Sequence, residues 1–132
     1  GKAIVLSEGT DVTLVATGHL VWEALQAAKI LEEQGISAEV IDIHTIKPLD
    51  NEAILKSVAK TNCVVGCEEH QFNGGLNESI AQLLVRNNPK PMEFVGVDDC
   101  FGESGTPDAL MEKYGLKANN IVEAAKKVIA RK

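Results

Sequence analysis

The segment Ile43-His44-Thr45-Ile46-Lys47-Pro48-Leu49-Asp50 constrains the fold of this chain more than any other. Val40, Ile41 and Ile43 form a short β-branched apolar run that reads as a buried strand, and Lys47-Pro48 stops it. Asp50 then stands where an N-cap belongs, ahead of a helical stripe made by Ile54, Leu55 and Val58. This is one strand-turn-helix unit, and the same grammar recurs along the chain.

Ala3 to Leu6 and Val12 to Thr17 read as strands separated by a polar turn at Ser7 to Asp11 that contains Gly9. Gly18 opens a helix with Val21, Ala24, Leu25, Ala28 and Leu31 at i, i+3, i+4, i+7 spacing, and Gly35 is placed to end it with a positive φ. Cys63 to Cys67 is a further central strand. Gly74-Gly75 opens a helix that turns Leu76, Ile80, Leu83 and Leu84 inward, and Met92 to Val97 is the last strand. Thr106-Pro107 caps a helix carrying Leu110, Met111 and Tyr114 and ending at Gly115. Asn120 with Glu123 resembles a capping box, followed by the stripe Ile121, Ala125, Val128 and Ile129. Alternation of this kind implies an α/β fold, a mostly parallel sheet with helices on both faces, since right-handed crossovers place them there.

Length and composition agree with one domain spanning residues 1–132: nearly half the residues are apolar, enough for a single core. The formal charge of −6 and the scatter of Lys and Arg argue against a nucleic-acid partner. No apolar run approaches the ~20 residues that span a bilayer, and no secretion signal is evident at the N-terminus. The expected location is the cytoplasm, with three free cysteines in a reducing compartment.

In a parallel sheet ligands gather at the carboxyl ends of the strands. His19, His44 and His70 all fall there, as do Asp98 and Asp99. The plainer reading is that polar residues collect in strand-end loops. Cys63, Cys67 and His70 invite a metal site, but cysteines four residues apart on a strand start about 13 Å apart, whereas sulfurs sharing a tetrahedral zinc lie within about 4 Å. Core thiols fit better. Gly102-Glu103-Ser104-Gly105-Thr106 lacks the second glycine of a nucleophile elbow, and Ser104 follows a loop. Gly74-Gly75 could offer N–H groups to an anion, although close packing or a tight turn explains it as well. Of Glu68 and Glu69, at most one faces a given site on an extended chain, leaving one as a candidate functional carboxylate and the other solvated. Trp22, the only tryptophan, reads as a packing or interface residue.

Three segments together carry a resemblance. His44-Thr45-Ile46-Lys47-Pro48-Leu49-Asp50, then Glu68-Glu69-His70 with Gly74-Gly75-Leu76, then Phe101-Gly102-Glu103-Ser104-Gly105 leading to Tyr114-Gly115-Leu116, are similar in order and spacing to the signature segments of the transketolase C-terminal domain. The paired glycines after Glu-x-His resemble transketolase more than deoxyxylulose-phosphate synthases or 2-oxoacid dehydrogenase beta subunits. The resemblance implies a three-layer α/β/α fold with a five-stranded sheet whose first strand is antiparallel. It also implies a parent enzyme that transfers a two-carbon ketol unit between sugar phosphates, using thiamine diphosphate and a divalent metal, Mg or Ca, held by the pyrophosphate- and pyrimidine-binding domains of a homodimer.

This chain resembles only the third domain. The metal motif of thiamine enzymes begins Gly-Asp-Gly, which does not occur here, so Asn87-Asn88 and Asn119-Asn120 are decoys. The resemblance therefore implies no catalytic residue, no metal ligand and no cofactor-binding residue in this chain, which alone would bind no thiamine diphosphate and be inactive. His19, His44, Glu69, His70, Gly74 and Gly75 remain as a candidate ligand or interface loop. The expected role is dimer support, domain orientation and regulatory ligand binding. The alternative is a stand-alone module for a phosphorylated small molecule, using His19, His44 and the helix start after Gly18.

Overall fold

The computed structural model describes residues 2–44, 49–68, 75–96 and 117–132. Within them are five strands, β1 (Ala3–Ser7), β2 (Val12–Ala16), β3 (Ala38–Ile43), β4 (Val64–Cys67) and β5 (Met92–Val95). Four helices accompany them, α1 (Leu20–Glu33), α2 (Asn51–Thr61), α3 (Leu76–Asn87) and α4 (Ala118–Ala130). The expected stop at Lys47-Pro48, the helix from Thr106 to Gly115, and Glu69, His70, Gly74, Asp98, Asp99 and the Phe101 to Gly105 segment lie outside the described residues.

The strands form one sheet in the order β1-β3-β2-β4-β5. β1 runs antiparallel to β3 and every other pair is parallel, with Leu14 level with both Val40 and Val65. β2 lies at the centre, and all five of its residues are buried. Period-2 alternation sends its side chains to two separate cores. Val12, Leu14 and Ala16 meet Leu20, Ala24, Ala27 and Leu31 of α1 and Ile121, Val122, Ala125 and Val128 of α4. On the other face Val15, Ile41, Ile43 and Val64 meet Ile54 and Val58 of α2 and Leu76, Ile80, Leu83 and Leu84 of α3. The result is the three-layer α/β/α architecture that the residue pattern and the resemblance implied.

Thr13 is the polar exception on β2, and its hydroxyl bonds Ser57 at 2.7 Å and Thr61 at 2.6 Å on α2. Each such bond adds about 1 kcal/mol net, and burying any of these hydroxyls unpaired would cost about 1–3 kcal/mol. They therefore fix α2 on this face of the sheet. Asp50 acts twice: Oδ1 accepts the N–H of Ala53 at 3.2 Å as the expected helix cap, and Oδ2 accepts the N–H of Ala3 at 2.9 Å, tying β1 to the start of α2. Gly35 follows α1 with φ +81°, as its position implied.

One expected helix start is displaced. α4 begins at Ala118, two residues before Asn120, and Asn120 instead reaches back so that its Oδ1 accepts the Lys117 N–H at 3.1 Å. The physical reason is long-range: Oε1 of Glu23 on α1 accepts the Ala118 N–H at 3.0 Å. That buried carboxylate supplies an acceptor to the first turn which no neighbouring residue signals.

Candidate functional site

β2 passes through α1 to β3 on one side of it, and β4 leads to β5 on the other, so the connections diverge between β2 and β4. In open α/β sheets this divergence opens the crevice where ligands settle. Two helix starts border it: α1 after β2 and α3 after β4.

At the first, Gly18 turns with φ +56° and His19 occupies the N-cap without a side-chain capping bond. His19 is exposed. His44 follows β3 directly, is also exposed, and sets its Nε2 3.3 Å from the Asp42 carboxylate. Because Ala16 and Asp42 are level, both histidines stand on the same carboxyl edge, each just beyond one of two neighbouring strands.

The second start is closed. Gly75 holds the N-cap at φ +108°, a left-handed conformation that favours glycine, as the tight-turn reading anticipated. The first N–H groups of α3 are already taken: Oε2 of Glu68 accepts from Leu76 at 2.8 Å and Oε1 accepts from Asn77 at 2.9 Å. Glu68 is only 3% exposed. Of the Glu68-Glu69 pair, then, Glu68 is neither solvated nor offered to a substrate; it is an internal cap, compensated by two charge-assisted bonds and the positive end of the helix dipole. The anion slot that Gly74-Gly75 suggested is filled at Gly75 by the chain's own carboxylate.

Sequence reasoning missed the support beneath that cap. Asn77 lies over Gly66 of β4, where an added Cβ would come within 1.9 Å of Asn77 Oδ1. A glycine inside a strand signals such close approach, so Gly66 was legible. The partnership of Glu68 with a helix eight residues on was not. Two buried oxygens nearby, Thr17 Oγ1 and Asn77 Oδ1, have no hydrogen-bond partner among the described residues.

The two described cysteines, Cys63 and Cys67, sit in the core. Cys63 donates to the Asp11 carbonyl at 3.3 Å, and burial, followed by Asp11, raises its pKa against the opposing pull of Lys132. Cys67 is fully buried, and burial pushes its thiol up to about 12. Neither thiol is a nucleophile near neutral pH. Trp22 departs from a packing role: it is 64% exposed.

Residues 1–121 match the transketolase C-terminal domain family. The chain belongs to that family. It is 53% identical over 132 residues, the whole of this chain, to a 6-deoxy-6-sulfo-D-fructose transketolase subunit of Clostridium sp. (strain MSTE9), covering 41% of that protein. Over 124 residues it is 43% identical to a putative transketolase C-terminal section of Methanocaldococcus jannaschii, covering 93% of this chain and 38% of that protein. A solved split-gene transketolase, described as an inactive beta4 tetramer, superposes with a TM-score of 0.90 at 47% identity, covering 98% of this chain and 42% of that one. The chain thus spans about two fifths of the length of the relatives it matches.

The described residues do not fit the thiamine diphosphate and divalent metal that the family implies. A diphosphate is received by free helix N-termini, and here α2, α3 and α4 are closed by Asp50, Glu68 and Glu23, while the Leu20 and Val21 N–H groups of α1, which has no side-chain cap, donate to the Thr17 and Gly18 carbonyls. The described residues contain no group of three or more His, Cys, Asp or Glu able to hold a metal ion. No helix among them is long and apolar enough to cross a membrane.

Proposed function

We propose that this chain is the C-terminal domain of a transketolase, an enzyme that moves a two-carbon ketol unit between sugar phosphates, and that it serves assembly rather than chemistry. The observation that carries the reading is the Glu68 clamp, which uses the carboxylate best placed at the crevice to close a helix of the family fold. Its partners are the pyrophosphate- and pyrimidine-binding domains, and thiamine diphosphate with its metal is bound by those domains in a dimer. The carboxyl edge bearing His19, His44 and Gly75, with Glu69, His70 and Gly74, faces the neighbouring domain. The 53% identical relative makes a sulfonated ketose the first donor to assay.

Calorimetric titration of the chain with thiamine diphosphate and magnesium, against a complete transketolase as positive control, tests the reading. No heat from this chain is the expected result. Saturable micromolar binding would sink the assembly role. In the complete enzyme, His70→Ala is expected to weaken the dimer or lower turnover, and an unchanged enzyme would remove His70 from the interface.

A further inference from the structure

The strands at the two edges of the sheet are held differently. β5 lies against α4, where Arg131 donates to the Met92 carbonyl at 3.0 Å and Glu93 pairs with both Arg131 and Lys127. β1 has no such cover among the described residues. Ile4, Val5 and Leu6 are 46%, 47% and 43% exposed in succession, so both faces of the strand are open. Of its residues only Ala3 joins a core, at the margin. Between Leu6 and α1 runs a groove of about 760 Å³ instead of a packed layer.

What holds β1 is its ladder to β3 and the fixing of its two ends. The ladder pairs Ala3 with Ile43, Ile4 with Asp42 and Val5 with Ile41, then shifts register between Val5 and Ser7. Such an irregularity interrupts pairing and is where a strand bends. Beyond it the chain is fixed. The Gly9 N–H donates to Glu39 Oε1 at 3.2 Å, and Glu39 pairs with Lys60 of α2. Gly9 lies so close to β3 that a Cβ there would fall 2.2 Å from the Ala38 carbonyl carbon. The Asp11 N–H donates to the Ser37 carbonyl at 2.8 Å, and the Ser37 N–H donates to Asp11 Oδ2 at 2.7 Å. At the Ala3 end one side-chain bond does the holding, from the Ala3 N–H to Asp50 Oδ2 at 2.9 Å.

We propose that β1 is a hinged strap, anchored at Gly9 to Asp11, bending between Val5 and Ser7 and latched at Ala3 by Asp50, which opens as one unit while β2 to β5 and their helices stay folded. Local opening takes the least free energy where few buried apolar contacts are lost, and β1 gives up only its ladder and the margin of one core. Opening uncovers the outer edge of β3 and takes Leu6 from the wall of the groove. Ile4 is level with Asp42, whose carboxylate meets His44, and Ala3 shares Asp50 with the start of α2. Whatever biases the strap therefore biases the histidine edge and the cap of α2 together.

Native-state hydrogen exchange on the complete protein, followed by peptide at rising sub-denaturing urea, tests the strap. The Ile4 to Leu6 amides are expected to exchange about a hundredfold or more faster than those of β2, through an opening that urea changes little because it exposes little surface. Ala3→Pro removes the latch donor at the first residue of a strand, where proline is tolerated, and leaves Asp50 to cap α2. It should speed β1 exchange about three- to tenfold at the same shallow urea slope. Lys60→Met, on the anchored side, should leave β1 exchange as it is. The proposal is overturned by β1 amides that exchange together with β2 along one steep urea slope. An unchanged β1 rate in Ala3→Pro, or an equal acceleration in Lys60→Met, would overturn it as well.

Discussion

Two helices start at the same crevice and are built in opposite ways. α3 begins on a glycine in a left-handed conformation, over a glycine in β4, with a buried carboxylate taking two of its N–H groups. α1 begins on an exposed histidine that makes no capping bond. The first start is closed by a side chain, whereas at the second the Leu20 and Val21 N–H groups meet only the Thr17 and Gly18 carbonyls. Position at a strand's carboxyl end therefore does not by itself make a residue functional. What distinguishes the two is whether the polar group has an internal partner.

The sharpest way to break this comparison is to remove the clamp. Glu68→Ala leaves two buried N–H groups without an acceptor and is expected to cost about 2–4 kcal/mol, read as a lowered urea midpoint. Glu68→Gln keeps one acceptor and should recover about half of that loss. If Glu68→Ala unfolds at the wild-type midpoint, the carboxylate is not what closes α3. Next in size is Gly66→Ala. Its Cβ would fall 1.9 Å from Asn77 Oδ1 and 2.9 Å from Met92 Cε, and overpacking of this kind costs about 1–3 kcal/mol. Asn77→Ala in the same background should relieve most of that cost, because the nearest obstacle is a side chain.

Most of the fold was legible because its signals are local. The apolar periods of α1, α2 and α3, the Asp50 cap and the positive φ at Gly35 all depend on residues within a few positions of one another. What escaped was long-range. Glu23 reaches across 95 residues to cap α4, and Glu68 reaches over eight to cap α3, so neither partnership shows when the sequence is read along the chain. At the candidate site the residue types and their edge were readable. Which of them already had partners was decided by packing, and so was the choice between the packing and interface readings of Trp22, whose exposure goes against packing.

Asp50 offers a smaller test through pH. The N–H groups of Ala3 and then Ala53 hold its carboxylate below the ordinary aspartate pKa of about 3.9. A depressed carboxylate contributes stability that is fully present above the unfolded value and fades as pH falls through the folded one. The difference in midpoint between wild type and Asp50→Ala should therefore be constant above about pH 5 and shrink below about pH 4. Glu39 gives wild type and variant a shared acid sensitivity: burial raises its pKa, but Lys60, Ser57 and Gly9 together lower it. A difference that instead grew toward low pH would mean that Asp50 is not the acceptor for these two N–H groups.

The smallest effect is expected at the open start. His19 has no capping bond, so His19→Ala should change stability by no more than about 0.5 kcal/mol, as at ordinary surface positions. His44 does have a partner in Asp42 at 3.3 Å, but the imidazole is 58% exposed, and an exposed pair contributes only about 0–1 kcal/mol. The two residues follow different strands, β2 and β3, and the substitutions should be additive within about 0.5 kcal/mol. A loss above about 2 kcal/mol from His19→Ala, in the range of the Glu68 clamp, would show that α1 too is closed by its first residue. The contrast between the two starts would then fail, and with it the assignment of the histidine edge as surface left free for a neighbouring domain.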